Sequence, residues 1–353
     1  MGNVDLRERD ALDEQLTIEL EEQRGRVLVD HFSPLVDTER LEWMWDLSDR
    51  FERHALPLPV IRSVTADLAW AARRAARPYP EEAEWESALV AAPANLMRRR
   101  VMAYVLGQRL RFDLKLEHLR WWSRRWLEVF ADDALILGLA AFAELGLYNS
   151  EGLEFFKRST QSPNADAKSR HVCLAAIWFA NHVRDQPKML LELSSEMISK
   201  GEVNSDVYYR RSLGLRRLGR YNDALQAIDR AMSIRDSGDL EVFQNYARER
   251  ELICATAAIN EQMQKQLKEQ IEAASAELKK RVDTAQQVMA DSLLRIIEVL
   301  GLFVAIVGFL IGTGAVVLKA DTFGELAFAM TLALVGSVAF FLLLRLVMSV
   351  GRK

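Results

Sequence analysis

The sequence predicts an all-α protein whose C-terminal part crosses a membrane twice. Two uncharged apolar runs, residues 299–318 and 326–344, each have the length of about 20 residues that a helix needs to span a bilayer. All eight prolines lie at or before Pro187, and no glycine or proline interrupts residues 239–300. That stretch is therefore free to form one long helix. No run alternates apolar and polar residues as a strand does.

The N-terminal region, residues 1–95, contains helical patterning that prolines interrupt. These prolines are Pro34, Pro57, Pro59, Pro78, Pro80 and Pro93. Because proline disfavours a helix interior, the pattern predicts short helices joined by turns. The sequence leaves open whether this region is a separate domain or the N-terminal cap of the next one.

Residues 96–238 are predicted to form pairs of helices. In residues 207–232, small side chains at Ser212, Ala224 and Ala231 allow two antiparallel helices to approach closely. Gly219 permits a tight turn between the helices, and Tyr221 is expected to wedge between them. The pattern predicts packing between helices that are neighbours along the chain.

This segment resembles a tetratricopeptide repeat, with Tyr208, Gly219, Tyr221, Ala224 and Ala231 at the packing positions of that family. Tyr208 stands where the family usually has tryptophan. A similar string, residues 145–149, precedes residues 218–222 by about two repeats of roughly 34 residues. The resemblance implies three or four stacked helix pairs over residues 96–235, with a concave face that binds another protein.

A long stalk helix is predicted over residues 239–297. Its apolar or small residues recur with an eleven-residue period at Met263, Leu267, Ile271, Ala274, Leu278, Val282, Ala285, Met289, Leu293, Ile296 and Leu300. This period favours a nearly straight helix that continues in phase into the first apolar run. A long helix with an apolar seam normally needs a partner, which favours a homo-oligomer. Folding back onto the helix pairs is the alternative.

The last region, residues 298–353, is predicted to be a transmembrane hairpin. Basic residues before the first span and after the second outnumber the single Lys319 between them, which predicts that both termini are cytoplasmic. Gly308, Gly312 and Ala333 offer small faces for helix packing within the membrane. A composition rich in arginine, alanine and leucine, without a targeting segment, favours a bacterial inner membrane.

Arginines form the candidate binding surface. The net charge of −4 disfavours nucleic acid as the main partner. Two arginine-rich segments nevertheless suggest a surface for an anionic ligand or a partner, formed by Arg98, Arg99, Arg100, Arg120, Arg124, Arg210, Arg211 and Arg217. Three tryptophans lie among the first group and add stacking surface. The alternative is that these arginines are solvated helix surface.

The sequence contains no signature of an enzyme, a cofactor site or a metal site. Phosphate-binding loops, dinucleotide-binding glycine motifs and hydrolase motifs are absent from it. His171 and His182 are separated by about 16 Å if they lie on one helix, which is too far for one metal ion. No catalytic, cofactor-binding or metal-binding residue is therefore nominated.

The combined pattern favours a membrane-tethered adaptor without catalytic activity, in which the helix pairs bind a protein and the hairpin holds them at the bilayer. One alternative is a membrane effector of a stress or antiviral system, whose hairpins assemble and permeabilise the membrane when a ligand or partner is sensed. Another is a receptor that binds a nucleotide or a different anionic small molecule in its basic region.

Overall fold

The computed structural model describes residues 11–19, 21–37, 41–75, 82–91, 95–234, 240–318 and 323–350. The regular structure in these ranges is helical and includes no strand, which confirms the all-α prediction. The chain divides into two compact units, residues 1–260 and 261–353. Pro78, Pro80, Pro93, Lys319 and residues 235–239 lie outside the described ranges.

Helices up to α13 and the start of α14 belong to the first unit. Their bounds are residues 11–18 for α1, then α2 Glu21–Phe32, a short 3-10 turn Leu35–Asp37, α3 Glu42–Arg53, α4 Leu58–Arg74, α5 Glu82–Ala91, α6 Leu96–Phe112, α7 Leu116–Val129, α8 Ala134–Gly146, α9 Glu151–Gln161, α10 Ala167–Phe179, α11 Gln186–Ser199, α12 Ser205–Arg217, α13 Tyr221–Ile234 and α14 Leu240–Leu318. The last helix is α15, Phe323–Val350.

Side-chain caps explain where several helices begin. Asn95, Asp133, Asp166 and Asn204 precede α6, α8, α10 and α12, and each side chain accepts a hydrogen bond from a backbone N–H in the first turn. Each such cap typically stabilises a helix by about 1 kcal/mol. In the N-terminal region, Pro57 immediately precedes α4 and Pro59 lies in its first turn. A proline in the first turn of a helix removes no backbone hydrogen bond of that helix.

The even-numbered helices form a row: α4 packs on α6, α6 on α8, α8 on α10, and α10 on α12. Each of α7, α9, α11 and α13 packs against the even-numbered helix before it. Asp113 lies in the connection between α6 and α7. Four helix pairs therefore follow one another from residue 96 to residue 234.

One large hydrophobic core extends from Leu12 to Val207 and includes side chains on both sides of residue 95. The described part of the N-terminal region therefore shares its core with the helix pairs. A second core cluster joins α12, α13 and the start of α14. Ala224 and Ala231 are fully buried in it, and Tyr208, Tyr209, Tyr221 and others pack at its edge. Gly219 has φ +74° in the connection between α12 and α13.

A buried arginine ties the first helices to the later ones. Arg62 on α4 is fully buried, and its guanidinium donates hydrogen bonds to Asp133, Asp166, Asn164 and the hydroxyl of Tyr104. Asp133 and Asp166 are also the caps of α8 and α10. The charge of Arg62 is therefore paired and fully hydrogen-bonded, as a buried cation requires.

The second unit contains the rest of α14, together with α15. Among the described residues, one helix is long and apolar enough to cross a membrane: Leu240–Gly312, whose most apolar window has a mean hydropathy of 2.5 and is not buried. The apolar stretch Met330–Leu342 within α15 is shorter. The side chains that form the predicted apolar seam of α14, such as Met263, Leu267 and Leu278, are exposed in the single chain.

Candidate functional site

The eight predicted arginines lie on three helices, α6, α7 and α12. Arg98 and Arg99 lie on α6, and the guanidinium of Arg98 makes a bidentate ion pair with Asp49. Arg120 lies 3.4 Å from the carboxylate of Glu117, one turn earlier on α7. These partners belong to the fold, so Arg98 and Arg120 already have counter-charges.

Four further predicted arginines, Arg100, Arg124, Arg211 and Arg217, have polar partners elsewhere in the fold. Arg124 pairs with the buried carboxylate of Glu144, and Arg100 lies 3.8 Å from Asp133. Arg211 donates to the hydroxyl of Ser195, and Arg217 donates to the side chains of Gln186 and Asn181. Nε of Arg100 is nevertheless buried without a hydrogen-bond partner among the described residues, and Arg210 has two such atoms.

Arg210 is a buried cation with incomplete pairing. The residue is 8% exposed, and its Nη2 lies 3.8 Å from Oδ2 of Asp206, one turn earlier on α12. No described residue accepts a hydrogen bond from its Nε or Nη1, although both atoms are buried. Its guanidinium lies over the ring of Trp178 on α10, 5.5 Å from the ring centroid. Burial lowers the pKa of Arg210 because the charged form is poorly solvated.

His171 on α10 faces the same carboxylate. Its Nε2 lies 3.7 Å from Oδ2 of Asp206, and its Nδ1 is buried without a partner among the described residues. The imidazole is 22% exposed. Burial, followed by the charge of Arg210, lowers the pKa of His171 to about 3. The imidazole is therefore neutral at neutral pH, and one of its nitrogens is available as an acceptor or a donor.

Arg111 at the end of α6 is the third basic group. Its Nε donates to Oε1 of Gln108 at 2.8 Å, and its guanidinium lies 4.3 Å from the centroid of the Phe112 ring. Arg111 has no carboxylate within ion-pair distance among the described residues. Burial, followed by repulsion from Arg210, lowers the pKa of Arg111 to about 9. Gln108 is fully buried, and no described acceptor faces its Nε2.

We call Gln108, Arg111, His171 and Arg210 the basic cluster. Three helices of the even-numbered row contribute to it, α6, α10 and α12. The carboxylate of Asp206 lies within 4 Å of both His171 and Arg210, and it also accepts a hydrogen bond of 2.9 Å from the hydroxyl of Tyr246. The cluster differs from Arg62 in that several of its donors are buried and unsatisfied. Such an arrangement is suited to holding an anion.

The described residues contain no group of three or more possible metal ligands. Cys173 is buried, and its thiol donates to Oγ of Ser159 at 3.0 Å. Burial raises the pKa of Cys173 to about 12, so this thiol stays protonated and unreactive at neutral pH.

Sequence reasoning identified Arg210 but not Gln108, Arg111 or His171. His171 was considered only for metal binding with His182, which lies beyond the end of α10 and is exposed. The four residues of the basic cluster come from three separate segments, and no local spacing links them. Only the packing of α6, α10 and α12 brings them into the same part of the fold.

No family model, curated protein or solved structure matches this chain.

Proposed function

We propose that this protein is a membrane-anchored scaffold without catalytic activity, which presents its first unit to a protein partner. The observation that carries the proposal is the extent of α14. Its first turns contribute Tyr246 and Ile253 to the second core cluster, and the same helix includes the unburied apolar stretch that is long enough to cross a bilayer. A single helix thus belongs both to a packed unit and to a candidate membrane span.

The stacking of the helix pairs supports a role in protein binding. The row from α4 to α12 and the partner helix of each pair agree with the resemblance to tetratricopeptide repeats, whose stacks serve as binding surfaces. Exposed apolar side chains recur at the connections within the pairs: Leu114 after α6, Tyr148 after α8 and Leu218 after α12. An edge of this kind is suited to contact with another protein.

The anchor in this proposal is a two-helix hairpin in a bacterial inner membrane with both termini in the cytoplasm. A Cβ atom at Gly336 would lie 3.0 Å from the ring of Phe309, which supports packing between α14 and α15. By contrast, Gly308 and Gly312 face open space in the single chain. Their small faces are therefore available for contact with other copies, and the partly buried Ala333 lies on α15.

Self-association through α14 completes the proposal. The apolar seam recurs every third or fourth residue and is exposed in the single chain, as at Ile271, Val282 and Met289. Exposed apolar side chains along several helical turns are stabilised when they pack against another helix. A parallel homo-oligomer would bury the seams against one another.

Cross-linking in cells that express the full chain tests the protein-binding role. We expect a stoichiometric partner that cross-links to the wild type and is lost when Tyr148→Ser and Leu218→Ser are combined. Val90→Ser is the control, because Val90 is also exposed and apolar but lies on α5, away from the connections. Failure to cross-link any partner to folded, membrane-inserted protein would contradict the proposal.

A membrane effector is a second candidate, because α14 is continuous from the second core cluster into the apolar stretch. A rearrangement in the first unit that rotated or shifted α14 would act directly on the membrane segment. Membrane-potential dyes in cells expressing residues 251–353 test this role. Depolarisation by an inserted fragment supports it, and an inserted fragment that leaves the potential unchanged contradicts it.

A further inference from the structure

The basic cluster has an unusual combination of buried donors. Nε and Nη1 of Arg210, Nε2 of Gln108 and Nδ1 of His171 are all buried and lack a hydrogen-bond partner among the described residues. Leaving several buried donors unsatisfied opposes folding, so an arrangement of this kind is explained best by an acceptor that is bound from outside the chain.

The charges around the cluster point to the sign of that acceptor. The charge of Arg210 is one cause of the lowered pKa of Arg111, and the carboxylate of Asp206 lies 3.8 Å from Arg210. Other basic side chains nearby have carboxylate partners of their own: Arg73 shares Asp113 with Arg109, and Lys168 pairs with Asp67. The cluster therefore retains an excess of positive charge in a partly dry environment, where an anion is strongly favoured.

We propose that the basic cluster binds the phosphate group of a small-molecule ligand. Arg111 and Arg210 supply charged donors from α6 and α12, Gln108 supplies an amide N–H, and His171 supplies a ring N–H. A phosphate has more acceptor oxygens and more charge than a carboxylate, which suits several donors that belong to three helices. This site is distinct from the surface on which a protein partner is proposed to bind.

The test uses the full chain in an uncharged detergent, with inorganic phosphate as the probe and potassium chloride added to equalise the ionic strength. Thermal unfolding followed by tryptophan fluorescence reports binding, because a ligand of the folded state raises Tm. We expect phosphate to raise Tm in a saturable manner, and Arg210→Gln to weaken the apparent affinity at least about tenfold. Equal stabilisation by chloride at the same ionic strength would overturn the proposal.

Arg220→Gln is the matched control. Arg220 lies between α12 and α13, is exposed, and pairs with Asp223, so its replacement removes the same charge at a distance from the cluster. The control should bind phosphate as the wild type does. If Arg210→Gln does not fold, phosphate binding is measured with Arg111→Gln instead. Phosphate binding that is at least about tenfold weaker supports the proposal, and unchanged binding overturns it.

A proton-uptake measurement distinguishes ligand binding from a structural role of these residues. A bound anion favours the protonated, positively charged form of His171. The charged groups around this imidazole are Asp206 and Arg210 on α12, Arg111 on α6 and Lys168 on α10. Calorimetry with sulfate, whose own charge is constant between pH 6 and pH 8, should show proton uptake that His171→Gln abolishes. Binding by the wild type without proton uptake would contradict the part assigned to His171.

The source of the phosphate is tested separately. If the ligand is soluble, inorganic phosphate competes with a nucleoside monophosphate for the detergent-solubilised chain, and nanodiscs with or without phosphatidic acid give the same Tm. If the phosphate belongs to a lipid headgroup, phosphatidic acid raises Tm and Arg210→Gln removes the increase. The second result would replace the small-molecule ligand with a lipid.

Discussion

Acidification should destabilise the first unit through His171. The pKa of this imidazole is about 3 in the folded chain, compared with about 6.5 in an unfolded one. Above pH 6.5 the imidazole is neutral in both states. As pH falls from 6.5 towards 3, the unfolded chain binds a proton at this position and the folded chain does not. The free energy of unfolding therefore falls with pH in this window.

The size of this effect follows from the difference between the two pKa values. Each pH unit below the unfolded pKa costs about 1.4 kcal/mol until the folded pKa is reached. Between pH 7 and pH 5, protonation of the unfolded chain at His171 should lower the free energy of unfolding by about 2 kcal/mol. His171→Gln has no titrating group at this position and should lose that part of the pH dependence.

Urea titrations of the full chain in detergent measure the effect. All eight tryptophans, the last of which is Trp178, lie in the first unit, so their fluorescence follows its unfolding without a signal from α15. His182→Gln is the matched control, because it removes an exposed imidazole and should keep the wild-type pH dependence. If His171→Gln and the wild type lost the same stability between pH 7 and pH 5, the reasoning about this buried imidazole would be refuted.

Three further predictions concern the fold. Arg62→Met should lower the free energy of unfolding by about 3–5 kcal/mol in urea titrations, because Asp133 and Asp166 lose their buried counter-charge. Adding Asp166→Asn should recover part of this loss, and full additivity of the two changes would contradict the proposed coupling. Gly219→Ala should cost about 1–2 kcal/mol, since its φ of +74° is unfavourable for a residue with a Cβ. Gly25→Ala, within α2 and with only ordinary contacts at 3.5 Å, is the control and should not destabilise. In native protein, the exposed Cys254 should react with a thiol reagent while Cys173 does not; both should react after denaturation, and rapid native labelling of Cys173 would contradict its burial.

Several features of the fold were predictable because they depend on residues close together in the chain. The absence of glycine and proline from residues 239–300 predicted the long helix that the structure contains as α14. The turn at Gly219 was predicted from a local pattern, and it lies between α12 and α13. The second span was predicted from its apolar composition, and the described apolar stretch of α15 is shorter than a full span.

The role of the N-terminal region was not predictable, because it depends on packing between distant segments. Sequence patterns left open whether residues 1–95 fold separately. The shared core from Leu12 to Val207 joins the described part of this region to the helix pairs. Arg62 makes the same link with polar groups, since its partners lie from 42 to 104 residues further along the chain.

The sequence by itself determined the helical class, the position of the long helix and the apolar runs, since helix formation and hydrophobicity are encoded over a few turns of chain. Only the tertiary structure decided which arginines are well paired and which keep buried donors without acceptors. Arg98 and Arg124 have counter-charges on other helices, whereas Arg210 is buried beside Arg111 and His171. Burial and pairing are properties of the packed helices, so the basic cluster exists only once α6, α10 and α12 are brought together.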